Sequence, residues 1–354
     1  MKKLFDHLLQ LAVELKTSDI HLTVDNPPIF RVNGILIPQE LNLIEPQHTK
    51  EMISLLLSPK QLDKFEENKE IDFSFEKDNL GRFRVNAFYQ RGAVSIVIRI
   101  IPNHIPELNE LHLPNVVKEF SMFHQGLVLV TGPTGSGKST TLASIIDYMN
   151  KTMRKHIITL EDPIEYIHYN KQSIINQREI GVDTNSFVNG LRASLRQDPD
   201  VILIGEMRDL ETISTAITAA ETGHLVLGTL HTNDTVSTIE RLIDIFPSTQ
   251  QQQIRIQLSS ILQAILTQQL FITKDKRSRR VATEVLINTP AVKNLIRNEK
   301  IYQIPNILQT SKEQGMHTFE MDLFRLVKED IVNPESIAPY IDQGGNQQKW
   351  ISNM

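Results

Sequence analysis

One segment of the 354-residue sequence combines glycines, a lysine and a serine at a spacing that suits phosphate binding. Gly132 to Ser139 reads Gly-Pro-Thr-Gly-Ser-Gly-Lys-Ser, which satisfies G-x-x-x-x-G-K-[ST]. Glycines let backbone N–H groups turn inward around phosphate oxygens, and a following helix N-terminus adds a favourable field. Lys138 would bring a positive charge to the β and γ oxygens, and the Ser139 hydroxyl would bind magnesium. The pattern predicts a site for ATP or GTP. Its predicted nucleotide-binding residues are Gly132, Pro133, Thr134, Gly135, Ser136, Gly137, Lys138, Ser139 and Thr140.

Carboxylates follow two short apolar runs further along the chain. The run His156 to Leu160 is followed by Glu161-Asp162-Pro163-Ile164-Glu165, and Val201 to Ile204 is followed by Gly205-Glu206. Ligands of open α/β sheets collect at the carboxyl ends of parallel strands. An acid of the first group could therefore orient or deprotonate an attacking water, and Glu206 could hold magnesium directly or through water. A solvated acidic loop and a purely structural carboxylate are the alternatives.

His224 and His231 lie directly before and after a fourth apolar run, Leu225 to Leu230. They are seven positions apart, which is not the i, i+4 spacing of a helical zinc pair. His231 would lie at the same edge as the acids, so it is predicted to sense the γ-phosphate, whereas a core or surface histidine is the alternative for it and for His224. Magnesium is thus assigned to Ser139 and Glu206, and catalysis to Lys138, Glu206, His231 and one acid of the group that begins at Glu161.

The apolar runs alternate with helical segments, which predicts an α/β domain with a largely parallel sheet. The predicted strands are 127–130, 156–160, 201–204 and 225–230, and a helix at 140–150 follows the phosphate-binding loop. A further amphipathic helix is predicted from Ser248 to about Leu270. Its apolar stripe consists of Ile254, Leu258, Ile261, Leu262, Ile265 and Leu266. The basic run at 274–280 would be a solvated connection to a strand that starts at Val281, and the alternative is a site for phosphate-rich polymers or anionic membrane surfaces.

The first hundred residues instead predict a mixed α+β module. A leading amphipathic helix is followed by short strands around residues 19–24, 29–32 and 35–37, a helical region at 46–67, and strands at 82–89 and 94–100. Pro102 to Pro106 interrupts this pattern. We therefore predict an N-terminal domain at 1–101, a linker at 102–114, an ATPase domain at 115–345 and a flexible tail at 346–354.

Bulk composition narrows the function classes. The net charge of −5 argues against a protein built mainly to bind nucleic acid, and the absence of cysteine removes disulfides, thiolate zinc sites and cysteine nucleophiles. No uninterrupted apolar stretch approaches the roughly 20 residues that cross a bilayer. We therefore expect a cytoplasmic protein with no direct membrane insertion.

Taken together, these segments resemble the PilT-type type IV pilus retraction ATPases over almost the whole chain. The segments that carry the resemblance are Ser18–Leu22, Gly132–Thr140, Thr159–Tyr166, Asp198–Asp209 and Gly223–Thr232. The resemblance implies a PAS-like α+β N-terminal domain, a RecA-like P-loop ATPase domain and a homohexameric ring that uses ATP and Mg2+. It implies that Glu161 polarises the water and that Glu206 lies by the magnesium. It also implies work on an inner-membrane pilus platform protein, at the inner face of the cytoplasmic membrane.

The same resemblance suggests a role for arginines of the first domain. Arg84 and Arg99 match the region that supplies catalytic arginines to a neighbouring subunit in this family, and Arg91 is a weaker candidate. An arginine supplied in this way stabilises the negative charge that spreads during phosphoryl transfer. The alternative is that these are ordinary surface arginines.

Three features favour the retraction branch over extension and secretion relatives. The chain lacks the four-cysteine zinc module that many of those relatives carry, and only about 100 residues precede the linker. Ala291 to Arg297 resembles the retraction signature Ala-Ile-Arg-Asn-Leu-Ile-Arg-Glu, although Asn298 replaces its acid. The remaining alternatives are an extension or secretion motor, a non-hydrolysing ring subunit that joins an active paralogous ATPase, and a DNA-translocating motor.

Overall fold

The computed structural model of the protein describes residues 2–32, 34–101 and 104–341. The chain divides into two compact units: unit 1 runs up to His104 and includes Glu165–Ile167, and unit 2 starts at Ile105. Residues 102 and 103 of the predicted linker and the whole predicted tail lie outside the described residues, so the assignment of linker and tail stays a prediction. Among the described residues, no helix has the length and apolar character needed to cross a membrane.

Unit 1 is built on an antiparallel sheet with helices packed against it. Its elements are α1 (Lys2–Glu14), β1 (Asp19–Leu22), β2 (Ile29–Val32), β3 (Ile35–Pro38), α2 (Pro46–Leu56), α3 (Pro59–Asn68), β4 (Glu70–Lys77), β5 (Gly81–Gln90) and β6 (Ala93–Ile101). The strand order is β3-β2-β1-β6-β5-β4. Phe83, Val85 and Ala87 alternate along β5 and are fully buried, as a half-buried strand requires. Edge strand β4 was not predicted, although Ile71, Phe73 and Phe75 occupy every second position in it, as the apolar residues of a half-buried strand do.

Unit 2 is an α/β unit in which strands and helices alternate. Its elements are α4 (Val116–Glu119), β7 (Gly126–Thr131), α5 (Lys138–Thr152), β8 (His156–Glu161), β9 (Ile174–Glu179), α6 (Phe187–Ser194), β10 (Val201–Ile204), α7 (Leu210–Glu221), β11 (Leu225–Leu230), α8 (Thr235–Asp244), α9 (Ser248–Ile261), β12 (Leu262–Ile272), β13 (Arg279–Ile287), α10 (Pro290–Arg297), α11 (Ile304–Thr310), α12 (Phe319–Lys328) and α13 (Pro334–Ile337).

The sheet of unit 2 has the order β13-β12-β7-β11-β10-β8-β9, and every neighbouring pair except β12–β13 is parallel. Successive residues of one strand belong to different hydrophobic clusters: Leu127 packs in one and Val128 in the other, as do Ile202 and Leu203. Both faces are therefore covered, as is usual for parallel sheets. Strands β7, β11, β10 and β8 are adjacent, so their carboxyl ends share one edge.

The predicted helix from Ser248 to Leu270 is wrong in its second half. Helix α9 ends at Ile261, and Ile265 and Leu266 lie in β12, which pairs with β7 on one side and β13 on the other. A strand buried on both faces is apolar at most positions, so its sequence also satisfies helical spacing. The basic run at 274–280 consequently follows a strand rather than a helix, and its last two residues, Arg279 and Arg280, already belong to β13. Its exposure agrees with the predicted solvated connection.

Candidate nucleotide-binding and phosphoryl-transfer site

The phosphate-binding loop connects β7 to α5 and lies tightly against β12. Gly132 has φ +139°, and a Cβ atom there would lie 2.2 Å from the backbone oxygen of Gln268. Gly137, at the start of α5, has φ +91°. Side chains other than hydrogen are strongly disfavoured at such angles, and at Gly132 there is no room for one. Both glycines are therefore required by the shape of the loop itself.

Lys138 is buried at the base of this loop. Its ammonium group donates to the backbone oxygens of Gly132, at 2.8 Å, and Pro133, at 3.0 Å. Ser139 follows in the first turn of α5 and is exposed. The loop thus places a cation and a hydroxyl together at a helix N-terminus, which is the arrangement that binds a phosphate chain.

Glu161 is the last residue of β8, and its carboxylate is oriented by two neighbours. The Thr159 hydroxyl donates to Oε1 at 2.6 Å, and the Gln177 amide donates to the same oxygen at 3.1 Å. Gln177 is itself held by the backbone N–H of His168, which donates to its side-chain oxygen at 2.7 Å. Residues from β8 and β9 therefore fix the direction in which this carboxylate points.

His168, whose backbone N–H binds Gln177, is expected to make the free energy of unfolding of unit 2 fall at low pH. Burial lowers the pKa of His168 from 6.5 to about 4, with a smaller upward effect of Asp147 and a smaller downward effect of Lys171. Its folded-state pKa lies below the unfolded value, so its contribution to stability is complete above pH 6.5 and is lost as the pH falls towards 4. The loss amounts to about 3 kcal/mol.

We expect the free energy of unfolding of His168→Leu to depend less on pH between 4 and 6.5 than that of the wild type. The free energy of unfolding should be measured by urea denaturation between pH 4 and 7 at a fixed protein concentration. The exposed His124 offers a control, and His124→Leu should keep the wild-type slope. Equal slopes in wild type and His168→Leu would contradict the assignment.

Glu206 and His231 are brought into contact by the neighbouring strands β10 and β11. Nε2 of His231 lies 3.0 Å from Oε1 of Glu206, and the Arg208 guanidinium donates to the same oxygen. The Thr229 hydroxyl donates to the backbone oxygen of Gly205, which ties the two strand ends together. His224, by contrast, contacts the backbone oxygen of Ala219 at 3.0 Å before β11 begins, as a structural histidine would.

Arg84 and Arg99 face each other on β5 and β6 of unit 1, where they are register partners. Two atoms of the Arg84 guanidinium contact Asp72 of β4, the shorter contact being 2.6 Å, and Nε of Arg99 lies 2.9 Å from Asp19 of β1. The Arg99 side chain is nevertheless 65% exposed. Each guanidinium is thus oriented by a carboxylate from an adjacent strand.

Several residues at the sheet edge were not identified from the sequence. Thr159 and Gln177 contact Glu161, and Arg208 contacts Glu206. Gln268 contacts the phosphate-binding loop. Thr159 and Arg208 lie two positions from their partners in sequence, so proximity could have suggested them. Gln177 and Gln268 come from other strands, and no sequence signal marks them.

The residues present fit magnesium only together with a nucleotide. The described part of the chain contains no group of three or more histidine or acidic side chains that could hold a metal ion by itself. Magnesium is commonly bound through one or two protein oxygens together with phosphate oxygens and water. Ser139 follows β7 and the phosphate-binding loop, and Glu206 follows β10. Only β11 lies between these two strands, so Ser139 and Glu206 can supply those protein oxygens.

A parallel sheet with a glycine–lysine–serine loop after one strand, and carboxylates and a histidine after its neighbours, defines a P-loop nucleotide-binding protein. Comparison with known proteins narrows this class. The model of the family described as "Type II/IV secretion system protein" matches residues 1–318, and the chain belongs to that family.

The chain is similar to two curated relatives from Pseudomonas aeruginosa over most of its length. It is 46% identical to "Type IV pilus retractation ATPase PilT" over 93% of this chain and 95% of the relative. It is 43% identical to "Type IV pilus ATPase PilU" over 98% of this chain and 91% of the relative. A crystal structure of the pilus retraction motor PilT with bound ADP is 47% identical, with a TM-score of 0.90 and 98% of both chains covered. The predicted mixed α/β fold class and membership of this ATPase family are thereby confirmed.

Proposed function

We propose that the protein is a Mg2+-dependent ATPase that powers retraction of type IV pili and thereby twitching motility. The observation that carries this proposal is the similarity to a retraction ATPase over nearly the full length of both chains. The geometry of unit 2 supports it, because the loop, both acids and His231 lie at one edge of the sheet. The proposed assembly is a homohexamer that acts on an inner-membrane platform protein from the cytoplasmic side.

In the proposed mechanism, backbone N–H groups of the loop and Lys138 bind the phosphate chain of ATP. The Lys138 ammonium would exchange its contacts with loop carbonyls for phosphate oxygens. Ser139 and Glu206 would hold magnesium, which neutralises charge on the phosphates. Glu161 would orient the attacking water and accept its proton, and His231, in contact with Glu206, would respond to the γ-phosphate.

Arg84 and Arg99 would be supplied to the site by the neighbouring subunit, where they would stabilise the charge of the transferring phosphoryl group. The carboxylates of Asp72 and Asp19 support this role, because they order both guanidinium groups within unit 1. Hydrolysis would be coupled to motion between the two domains, with the linker near Pro102 to Pro106 as the hinge.

Introducing Lys138→Ala at the chromosomal locus tests the direction of the motor. We expect twitching to be lost while surface pili remain, because filaments would be assembled but not retracted. Pilus number should be counted by electron microscopy and twitching measured on agar, with Lys60→Ala, on the exposed face of α3, as the charge-matched control.

Three outcomes would contradict the proposal. Loss of surface pili would assign the protein to extension or secretion. A purified wild-type ring that binds ATP without turnover would assign it to a scaffold partnered with an active paralogue. Stimulation of hydrolysis by DNA would favour a nucleic-acid motor.

A further inference from the structure

Strand β12 carries a buried glutamine whose side-chain amide faces the phosphate-binding loop. Gln268 is 2% exposed. Its Nε2 donates to the backbone oxygen of Ser136 at 2.7 Å, and its Oε1 accepts from the Thr141 hydroxyl at 2.9 Å. Ser136 belongs to the loop and Thr141 to the first turn of α5. One side chain therefore connects the loop to the helix that follows it.

The phosphate-binding loop also packs closely against the main chain of β12. The backbone oxygen of Gln268 occupies the space that a side chain at Gly132 would need. The side-chain Nε2 of Gln268 would lie 3.1 Å from a Cβ atom at Gly137. Just before the loop, the buried hydroxyls of Thr131 and Thr267 are 2.8 Å apart. Gln268 thus contacts the loop near its start and near its end.

The direction of these hydrogen bonds matters for phosphate binding. A peptide unit is planar and trans, so its C=O and N–H groups point to opposite sides. By holding the Ser136 carbonyl towards β12, Gln268 turns the N–H of Gly137 away from β12. If that carbonyl were released, the peptide could rotate and present an oxygen dipole to the anionic phosphates instead of an N–H.

We propose that Gln268 is a positioning residue that sets the orientation of the 136–137 peptide for nucleotide phosphates. It does not need to touch the nucleotide, because it acts through Ser136 and Thr141. The proposal rests on the proposed function only in that the nucleotide used to test it is ATP or ADP.

Gln268→Met keeps the length of the side chain but removes the donor and the acceptor. We expect the KM for Mg-ATP and the Kd for ADP each to rise on the order of tenfold or more, since a buried carbonyl loses its partner and the loop loses its preferred orientation. ADP affinity should be measured with a fluorescent ADP analogue, and ATPase kinetics and thermal unfolding recorded on the same preparations.

The next residue on the strand provides a matched control. Gln269 points to the other side and donates to the Tyr340 hydroxyl, so Gln269→Met should leave the KM and the Kd unchanged. Thr141→Val removes only the bond to Oε1 and is expected to raise both constants less than Gln268→Met. It also provides a test should Gln268→Met fail to fold.

A purely structural role predicts a different pattern. Gln268→Met would then lower Tm but keep the wild-type KM and Kd at temperatures well below its unfolding, and that result would overturn the proposal. If Gln268→Met does not fold but Thr141→Val does, a wild-type KM for Mg-ATP and a wild-type Kd for ADP in Thr141→Val would likewise overturn the proposal. Failure of wild type to hydrolyse ATP would instead refute the proposed function, while the ADP affinities would still decide the role of Gln268.

Discussion

Glu161→Gln is expected to lower ATP turnover at least about a hundredfold while ATP and ADP still bind. The amide oxygen of a glutamine can accept the same hydrogen bonds from Thr159 and Gln177, so the side chain should keep its position. What it loses is the negative charge that would orient the water and take its proton. The P-loop and Lys138 lie on other elements and should bind the nucleotide as before.

The measurement is Mg2+-dependent ATPase activity of the purified protein, with oligomer mass and nucleotide affinity determined on the same samples. Glu221→Gln removes the same charge from an exposed position at the end of α7 and serves as the control. Glu206→Gln should be compared directly, because Glu206 contacts His231 and Arg208 instead. Wild-type turnover in Glu161→Gln, together with loss of turnover in Glu206→Gln, would transfer the water-activating role to Glu206.

The strands that carry the candidate site could be predicted because each is a short apolar run with a polar residue one or two positions after it. The predicted strand at 201–204 matches β10, and 225–230 matches β11. The carboxyl ends of adjacent parallel strands must meet, so the shared edge followed from the fold class alone. Local hydrogen bonds between residues close in sequence follow the same logic. Threonine before proline is a favourable start for a helix, and the Thr289 hydroxyl accepts from the backbone N–H of Val292 at the start of α10.

Contacts between distant segments could not be predicted in this way. Strand β12 pairs with β7, more than 130 residues earlier, and with β13. These pairings make it a strand, whereas its apolar spacing alone also allows a helix. The bonds from Gln268 to Ser136 and from Arg99 to Asp19 likewise span 132 and 80 residues. Edge strand β9 carries only two apolar residues, both at its start, so its sequence gives little strand signal. Edge strand β4 was missed although its apolar and polar residues alternate, so its sequence did contain the signal.

Rings that mix Arg99→Ala and Lys138→Ala subunits are expected to recover ATPase activity that neither variant has alone. Removing a catalytic arginine costs on the order of a thousandfold in rate, and removing the P-loop lysine should abolish productive nucleotide binding. If the arginine acts in trans, about one quarter of the sites in a randomly mixed ring combine an intact loop with an intact arginine from the neighbour. If it acts in cis, every site carries a defect.

Co-expression with two affinity tags and sequential purification would yield the mixed rings, and Arg84→Ala should be tested in the same format. A mixture of Glu161→Gln and Lys138→Ala is the control. Glu161 ends β8 and Lys138 begins α5 in the same unit, so no site in that mixture is intact and no recovery should occur. Because Asp19 orders the Arg99 guanidinium before any assembly, Asp19→Ala should reproduce part of the Arg99→Ala defect and recover in the same mixture. Full activity in homogeneous Arg99→Ala rings would show that Arg99 is a surface arginine.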